Sequence, residues 1–291
     1  MSQFRLATAQ YDISFLPNWA AYRAKITQWV TQAHANEATL LLFPEYFSME
    51  LASLFDATIY QSLARQLAAL QTLLPAFQQL FQDLAQQYAL TIVAGTFPVQ
   101  QSNGQYTNRA YVFHPNGGWD FQDKLQMTRF ENEQWQISAG NALNVLDSAV
   151  GKLGICICYD SEFPLLARSL VERGANLILV PSCTDTLAGY YRVRIGCQAR
   201  ALENQCYVAQ SALVGNAAWS EAVDVNTGAA AVYTPVDYGY PANGILQIGE
   251  LNQVQWVYAT LDLANLAMVR NNGQVFNYRD WQGQYRPFLG V

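Results

Sequence analysis

Between Phe4 and Gln10 apolar and polar side chains alternate, in FRLATAQ, a period of two that predicts a strand. After Asn18, a residue type suited to capping, Tyr22, Ile26, Trp29, Val30 and Ala33 recur at spacings of three and four and predict a helix with one apolar face. Thr39 to Phe43 is a continuous β-favouring run, expected as a buried strand. Leu63, Leu67, Leu70, Leu74, Phe77, Phe81, Leu84 and Tyr88 mark a long helical region, broken or kinked near Pro75.

Further along, Thr91 to Phe97 reads as a strand with Gly95 inside it. Arg109 to Phe113 and Trp119 to Lys124 flank a Pro-Asn-Gly-Gly turn, which predicts an antiparallel hairpin. Lys152 to Cys158 reads as a strand, and Pro164 to Arg173 as a short helix opened by Ser161 or Glu162 and stopped by Gly174. Asn176 to Val180 is a predicted strand, Tyr190 to Glu203 a helix and Tyr207 to Ala212 a strand. Shorter strands are expected around Ala230 to Tyr233, Gly244 to Ile248 and Gln255 to Leu261. From about Asn271 the chain is aromatic and irregular, with Trp281, Tyr285 and Phe288, and is expected to dock as a tail. Strand and helix alternate without a linker or repeat, so residues 1–291 are read as one α/β domain of mixed sheet with outer helices.

Composition narrows the partners. The chain has 16 Lys and Arg against 22 Asp and Glu, a net charge of −6, which argues against a nucleic acid partner. Apolar runs such as Leu40 to Pro44 fall far short of the roughly 20 residues that cross a bilayer, so no membrane partner is expected. The opening MSQFRLATAQYD has no apolar stretch followed by a small-residue cleavage site, and no secretory signal is read. Five cysteines at irregular spacing do not suggest a disulfide framework, and a reducing cytoplasm is the expected location. The two histidines, His34 in a helical stretch and His114 at a turn, are poor candidates for a triad base or a metal site.

Three predicted strands run into chemically capable residues: Glu45 after Pro44, Lys124 after the hairpin, and Cys158. Sites in open α/β sheets collect at carboxyl ends of strands, where a carboxylate, an ammonium and a thiol would supply base, oxyanion partner and nucleophile. A free thiol titrates at about 8.5 and needs a nearby base or cation to act at neutral pH. Lys124 and the backbone N–H of Tyr159 are candidates for holding an oxyanion. Each has an ordinary reading too: Cys158 as packing, Glu45 as a helix cap, Lys124 as a solvated edge residue. Cys156 and Cys158 form one C-x-C with no second spaced pair, so no metal site is predicted.

The segments LLLFPEYF, DKLQMTRFENE and KLGICICYDSEFP, in that order, resemble the nitrilase or carbon–nitrogen hydrolase superfamily. ATAQYD near the start, RGANLILVPS at 173–182 and RALENQCYV at 200–208 extend the likeness over most of the chain. The resemblance implies a four-layer α-β-β-α sandwich, no cofactor, and a catalytic trio of Glu45, Lys124 and Cys158. It also implies a second glutamate that anchors the lysine; by its distance from Gly140 this is Glu133, with Glu131 as competitor. Leu165 stands where relatives carry Glu, and Ser211 where many carry Asn. Cys158-Tyr159-Asp160 is similar to the amidase branches, whereas nitrilases often show Trp-Glu after the cysteine. The implied activity is hydrolysis of a small amide, of the ω-amide or N-carbamoyl type, through a thioester. Nitrile hydrolysis and a non-catalytic metabolite-binding role are the alternatives. Tyr46, Trp135, Thr184 and Asp185 are expected to shape the pocket, with Arg129 or Arg194 able to meet a substrate carboxylate. Relatives pair through outer helices, which implies a homodimer or higher homo-oligomer.

Overall fold

The structure is a computed structural model that describes residues 3–286; Phe288 of the expected tail lies outside them. Strand β1 (Gln3–Asp12) leads to helix α1 (Trp19–Ala35), capped by the Asn18 side chain accepting from the Ala21 N–H. Strand β2 (Leu40–Leu42) is followed by a 3-10 turn, Phe47–Leu54, and helices α2 (Ala57–Tyr60), α3 (Leu63–Leu70) and α4 (Leu74–Gln87). Of the break or kink expected near Pro75 the structure has a break, with proline in the first turn of α4 where its missing N–H costs nothing. Strands β3 (Thr91–Gln100), β4 (Tyr106–His114) and β5 (Gly118–Asp123) form an antiparallel meander, and α5 (Arg129–Glu133) precedes β6 (Ile137–Ser138).

A second group begins with β7 (Val145–Ser148) and β8 (Gly151–Ile155), then α6 (Pro164–Glu172), β9 (Leu177–Val180), α7 (Leu187–Asn204) and β10 (Tyr207–Gln210). Strands β11 (Ala212–Asn216), β12 (Val225–Asn226), β13 (Ala231–Tyr233), β14 (Ile245–Ile248) and β15 (Gln255–Asp262) complete the strands. Helices α8 (Leu263–Asn272) and α9 (Asn277–Asp280) follow.

Two mixed sheets result. One runs β12-β11-β1-β2-β3-β4-β5, with β15 against β1 and β6 against β4; the other runs β14-β13-β10-β9-β8-β7. Alternation along β1 sets the layers. Leu6 belongs to the core that also holds Leu153, Ile155, Leu177 and Leu179 of the second sheet, while Ala7, Ala9 and Tyr11 pack with Tyr22, Ile26 and Trp29 of α1. Phe77 and Phe81 of α4 join the α1 side. Ala167, Leu170 and Val171 of α6, with Val193, Cys197 and Ala201 of α7, cover the second sheet. This is the α-β-β-α sandwich expected.

Three departures from the sequence reading bear on the site and its frame. Tyr207 to Ala212 is not one strand: the chain changes sheets at Ser211, whose N–H donates to the Val180 carbonyl and whose hydroxyl donates to that of Phe43. The strand expected to reach Cys158 stops at Ile155. The N-cap position of helix α6 falls at Phe163, without a side-chain cap, and not at Ser161 or Glu162, because these belong to a 3-10 turn, Cys158–Glu162. The tail from Asn271 is partly helical; the Arg168 guanidinium donates to the Tyr278 carbonyl at 3.1 Å and lies 4.7 Å from the Trp281 ring centre.

Candidate active site

Glu45, Lys124 and Cys158 meet at one end of the two sheets. Beyond β2, the Phe43 N–H donates to the Val93 carbonyl, and the chain turns at Pro44 and Glu45 into Tyr46, which is left-handed at φ 55°. The turn lies against Gly95 of β3 so closely that a Cβ there would sit 2.1 Å from the Pro44 carbonyl oxygen. Glycine at φ 51° beside a register shift in the β3–β4 ladder makes that approach possible. Lys124 follows β5, with its N–H on the Asn108 carbonyl at 2.9 Å. Cys158 starts the 3-10 turn at φ 46°, a left-handed conformation uncommon outside glycine, and its N–H donates to the Pro181 carbonyl. Asp160, 1% exposed, accepts from the N–H groups of Gln126 at 2.7 Å, Ile157 at 3.1 Å and Leu125 at 3.2 Å. One carboxylate therefore ties the segment after Lys124 to the Cys158 turn.

The ammonium of Lys124, 1% exposed, donates to Glu45 Oε1 at 2.8 Å and to Glu131 Oε2 at 2.7 Å. Glu131 also accepts from the Tyr46 hydroxyl at 2.7 Å and from the N–H and hydroxyl of Thr128, both at 2.9 Å. The expected second glutamate, Glu133, is not in this cluster. It lies on the surface, paired with Arg129 at 2.9 Å. The reason is helical: Thr128 caps α5 in a capping box that turns the third helical residue, Glu131, back toward the N-terminus and Lys124, and a residue two further on faces elsewhere.

Sequence reading missed two neighbours. The Asn108 amide donates to Glu45 Oε1 at 2.9 Å and to Glu131 Oε1 at 3.4 Å. The Cys183 N–H donates to Glu45 Oε2 at 3.1 Å, and the Cys158 thiol lies 3.7 Å from the Cys183 carbonyl oxygen. Neither sits in a segment whose spacing marks it: Asn108 arrives through the pairing of β4, and Cys183 from the loop that follows β9.

Electrostatics follow from burial among charges. Burial pushes the Glu45 carboxyl above the ordinary range, although Lys124 pulls it down. Burial acts the same way on Glu131, but there Lys124 and the hydrogen bonds from Thr128 and Tyr46 prevail, and its carboxyl is held low. Burial works against the Lys124 charge, yet the two glutamates hold it well above its usual value. Burial and the Glu45 charge push the Cys158 thiol far up. Burial carries the Asp160 carboxyl up to about 7 against Lys124 and the backbone donors.

A cleft of about 620 Å³ opens over the trio. Tyr46, Trp135, Tyr159, Thr184 and Asp185 line it. Arg129 lines it also but is paired with Glu133, and Arg194 lies over the Tyr191 ring at 5.9 Å. Among the described residues no cluster of three or more His, Cys, Asp or Glu has metal-binding geometry. Among the same residues no helix is long and apolar enough to cross a membrane.

An αββα sandwich with a buried glutamate, lysine and cysteine at the floor of a cleft defines the class, and comparison with known proteins gives the family. The profile described as "Carbon-nitrogen hydrolase" matches residues 5–249, and the chain belongs to that family. It is 34% identical over 276 residues to "Probable hydrolase YhcX" of Bacillus subtilis; the match covers 95% of this chain and 53% of the other, so the chain spans about half that protein's length. It is 28% identical over 271 residues to the deaminated glutathione amidase of Dictyostelium discoideum, covering 88% and 87% of the two chains. Among solved structures, a carbon-nitrogen hydrolase of Helicobacter pylori G27 superposes with a TM-score of 0.76 at 18% identity, over 99% of this chain and 94% of that one.

Proposed function

We propose that this carbon–nitrogen hydrolase cleaves a small linear amide through a thioester on Cys158. The observation that carries the reading is the convergence of Cys158, Glu45 and Lys124 in a cleft whose walls mix the aromatic Tyr46, Trp135 and Tyr159 with charged residues such as Arg192 and Asp185. In the first half-reaction the Cys158 sulfur attacks the amide carbon as its proton passes to Glu45. A thiol pushed so far up is neutral at rest, so transfer and attack must be coupled. The Lys124 ammonium and the Tyr159 N–H hold the oxyanion, and Glu45 returns the proton to the leaving ammonia or amine. In the second, Glu45 activates water, which releases the acid from the thioester. Glu131 is the group that holds the Lys124 charge in place, the role expected from the sequence for Glu133. No step calls on a cofactor.

Amide hydrolysis is favoured over nitrile hydrolysis by the Cys-Tyr-Asp segment and by the amidase names of relatives such as the "Omega-amidase NIT2" of Homo sapiens, 25% identical over 96% of both chains. A panel of ω-amides, N-carbamoyl compounds and nitriles, read by mass spectrometry of the acid, tests this. Acid from amides supports it, acid from nitriles alone replaces it with the second reading, and no turnover with Cys158 unlabelled by low iodoacetamide leaves the non-catalytic one. We further propose a cytoplasmic homo-oligomer. Leu187, Tyr191, Ile195 and Leu202 expose apolar surface along α7, a stripe suited to a second copy. A monomer by light scattering at micromolar concentration would remove that part.

A further inference from the structure

Glu45 has two carboxylate oxygens, and the structure treats them differently. Oε1 accepts from both Lys124 and Asn108, at 2.8 and 2.9 Å; Oε2 accepts from the Cys183 N–H alone, at 3.1 Å. A carboxylate oxygen offers about two in-plane lone pairs, so Oε1 is saturated and Oε2 keeps one open. Asn108 itself is fully buried, and its Oδ1 has no hydrogen-bond partner. A buried amide that leaves its acceptor unpaired is held by what its N–H₂ does; turned over, it would set Oδ1 against both Glu45 and Glu131. The same residue's carbonyl receives the Lys124 N–H, which fixes the ammonium's strand beside the carboxylate.

We propose that Asn108 is a positioning residue that makes Oε2 of Glu45 the proton-accepting oxygen. It fills the second lone pair of Oε1, so the carboxylate can neither rotate nor take a proton on the lysine side. The thiol proton of Cys158 then passes to Oε2. The groups that face Glu45 are Lys124 from the end of β5, Glu131 from α5, the Tyr46 hydroxyl, the Cys158 thiol and the Cys183 thiol, with Asn108 the uncharged donor among them. Because Asn108 touches Glu45 and not the cleft contents, its loss should act on the base and leave substrate contacts alone.

This rests on the proposed thiol chemistry, and the test separates the two. Asn108→Asp keeps the shape and sets a carboxyl against Glu45 and Glu131 in place of the amide donor; Asn108→Leu removes the donor and the unpaired oxygen together at similar volume. With circular dichroism as the folding check, Cys158 alkylation by iodoacetamide is followed against pH by mass spectrometry, a readout that needs no turnover. Both variants should move the acid limb of alkylation to higher pH by about one unit. On an amide substrate kcat should fall roughly 10- to 100-fold with KM nearly unchanged. Wild-type alkylation and kcat in a folded Asn108→Leu, with Cys158→Ala inert, would overturn this inference alone; turnover by Cys158→Ala would overturn the thiol chemistry beneath it. Wild-type protein labelled with ¹⁵N-asparagine tests the same point without variants. One side-chain amide pair should resist deuterium exchange and shift with the acid limb, and its absence overturns the proposal.

Discussion

At the residue scale, the buried ammonium of Lys124 between two carboxylates governs the site's charge. Removing either glutamate leaves a charge in low dielectric with half its compensation, a cost on the order of 3–5 kcal/mol for a buried pair. Glu131→Gln should therefore lower stability and turnover together, whereas Glu133→Gln, at an exposed pair with Arg129, should change neither measurably. Thermal melts and amide turnover of both variants decide it, and equal losses would return Glu133 to the site. Cys158→Ala should abolish turnover while melting near wild type. Glu45→Gln should show no acyl-enzyme burst, since the same carboxylate serves both half-reactions; a fast burst would contradict a single base. As Glu45 must be ionised to accept a proton and burial raises its carboxyl, kcat/KM should fall as pH drops through a value above the ordinary glutamate range.

At the scale of elements, turns decide the geometry. The Pro44–Glu45 turn needs the empty space at Gly95, where a methyl group would meet the Pro44 oxygen at 2.1 Å in a left-handed backbone. Gly95→Ala is expected to cost several kcal/mol and to displace Glu45, so that Tm and kcat fall together. A variant with wild-type melting would show that the turn has slack. Asp160 links the Lys124 and Cys158 segments, and its sign can be worked out. Its folded-state carboxyl sits at about 7, above its unfolded value, so the native state binds the extra proton. Its contribution to stability is then present below the unfolded value and lost as pH rises toward 7. The stability of wild type relative to Asp160→Asn should decline across that window by a few kcal/mol at most. Melts at matched pH values check it, and a difference that grows with pH would reverse the assignment. These elements also mark where sequence reading stopped. The Glu131-for-Glu133 choice turned on a capping box at Thr128 that chain distance from Gly140 could not resolve. Asn108 carries no local signal, because a strand residue's neighbours across a ladder are set by register, and Cys183 reaches Glu45 from the loop after β9.

On the scale of the whole molecule, the two sheets pack with their inner faces together, and Ser211 carries the chain from one to the other. Its N–H and hydroxyl tie strand β9 and the Phe43 segment to the same point, close to where Glu45 and Cys183 meet. On α6, Arg168 holds residues 278–281 through one hydrogen bond and two aromatic rings. Arg168→Ala should expose that segment to proteolysis and lower stability by about 1–3 kcal/mol, leaving the trio intact. Unchanged protease resistance would mean that other contacts hold it.

The pattern along the chain by itself indicated the layered α/β class and the period of the longer strands and helices, because alternation is local and survives reading in one dimension; Glu45, Lys124 and Cys158 stood out as a trio only through the resemblance of their three segments to a known family. Only the tertiary structure decided that Glu131 holds the lysine, that Asn108 and Cys183 divide the two oxygens of Glu45, and that one predicted strand serves two sheets. Those facts depend on which lone pair faces which donor across segments far apart in sequence, and burial makes such pairings strong only once the fold has removed water from between them.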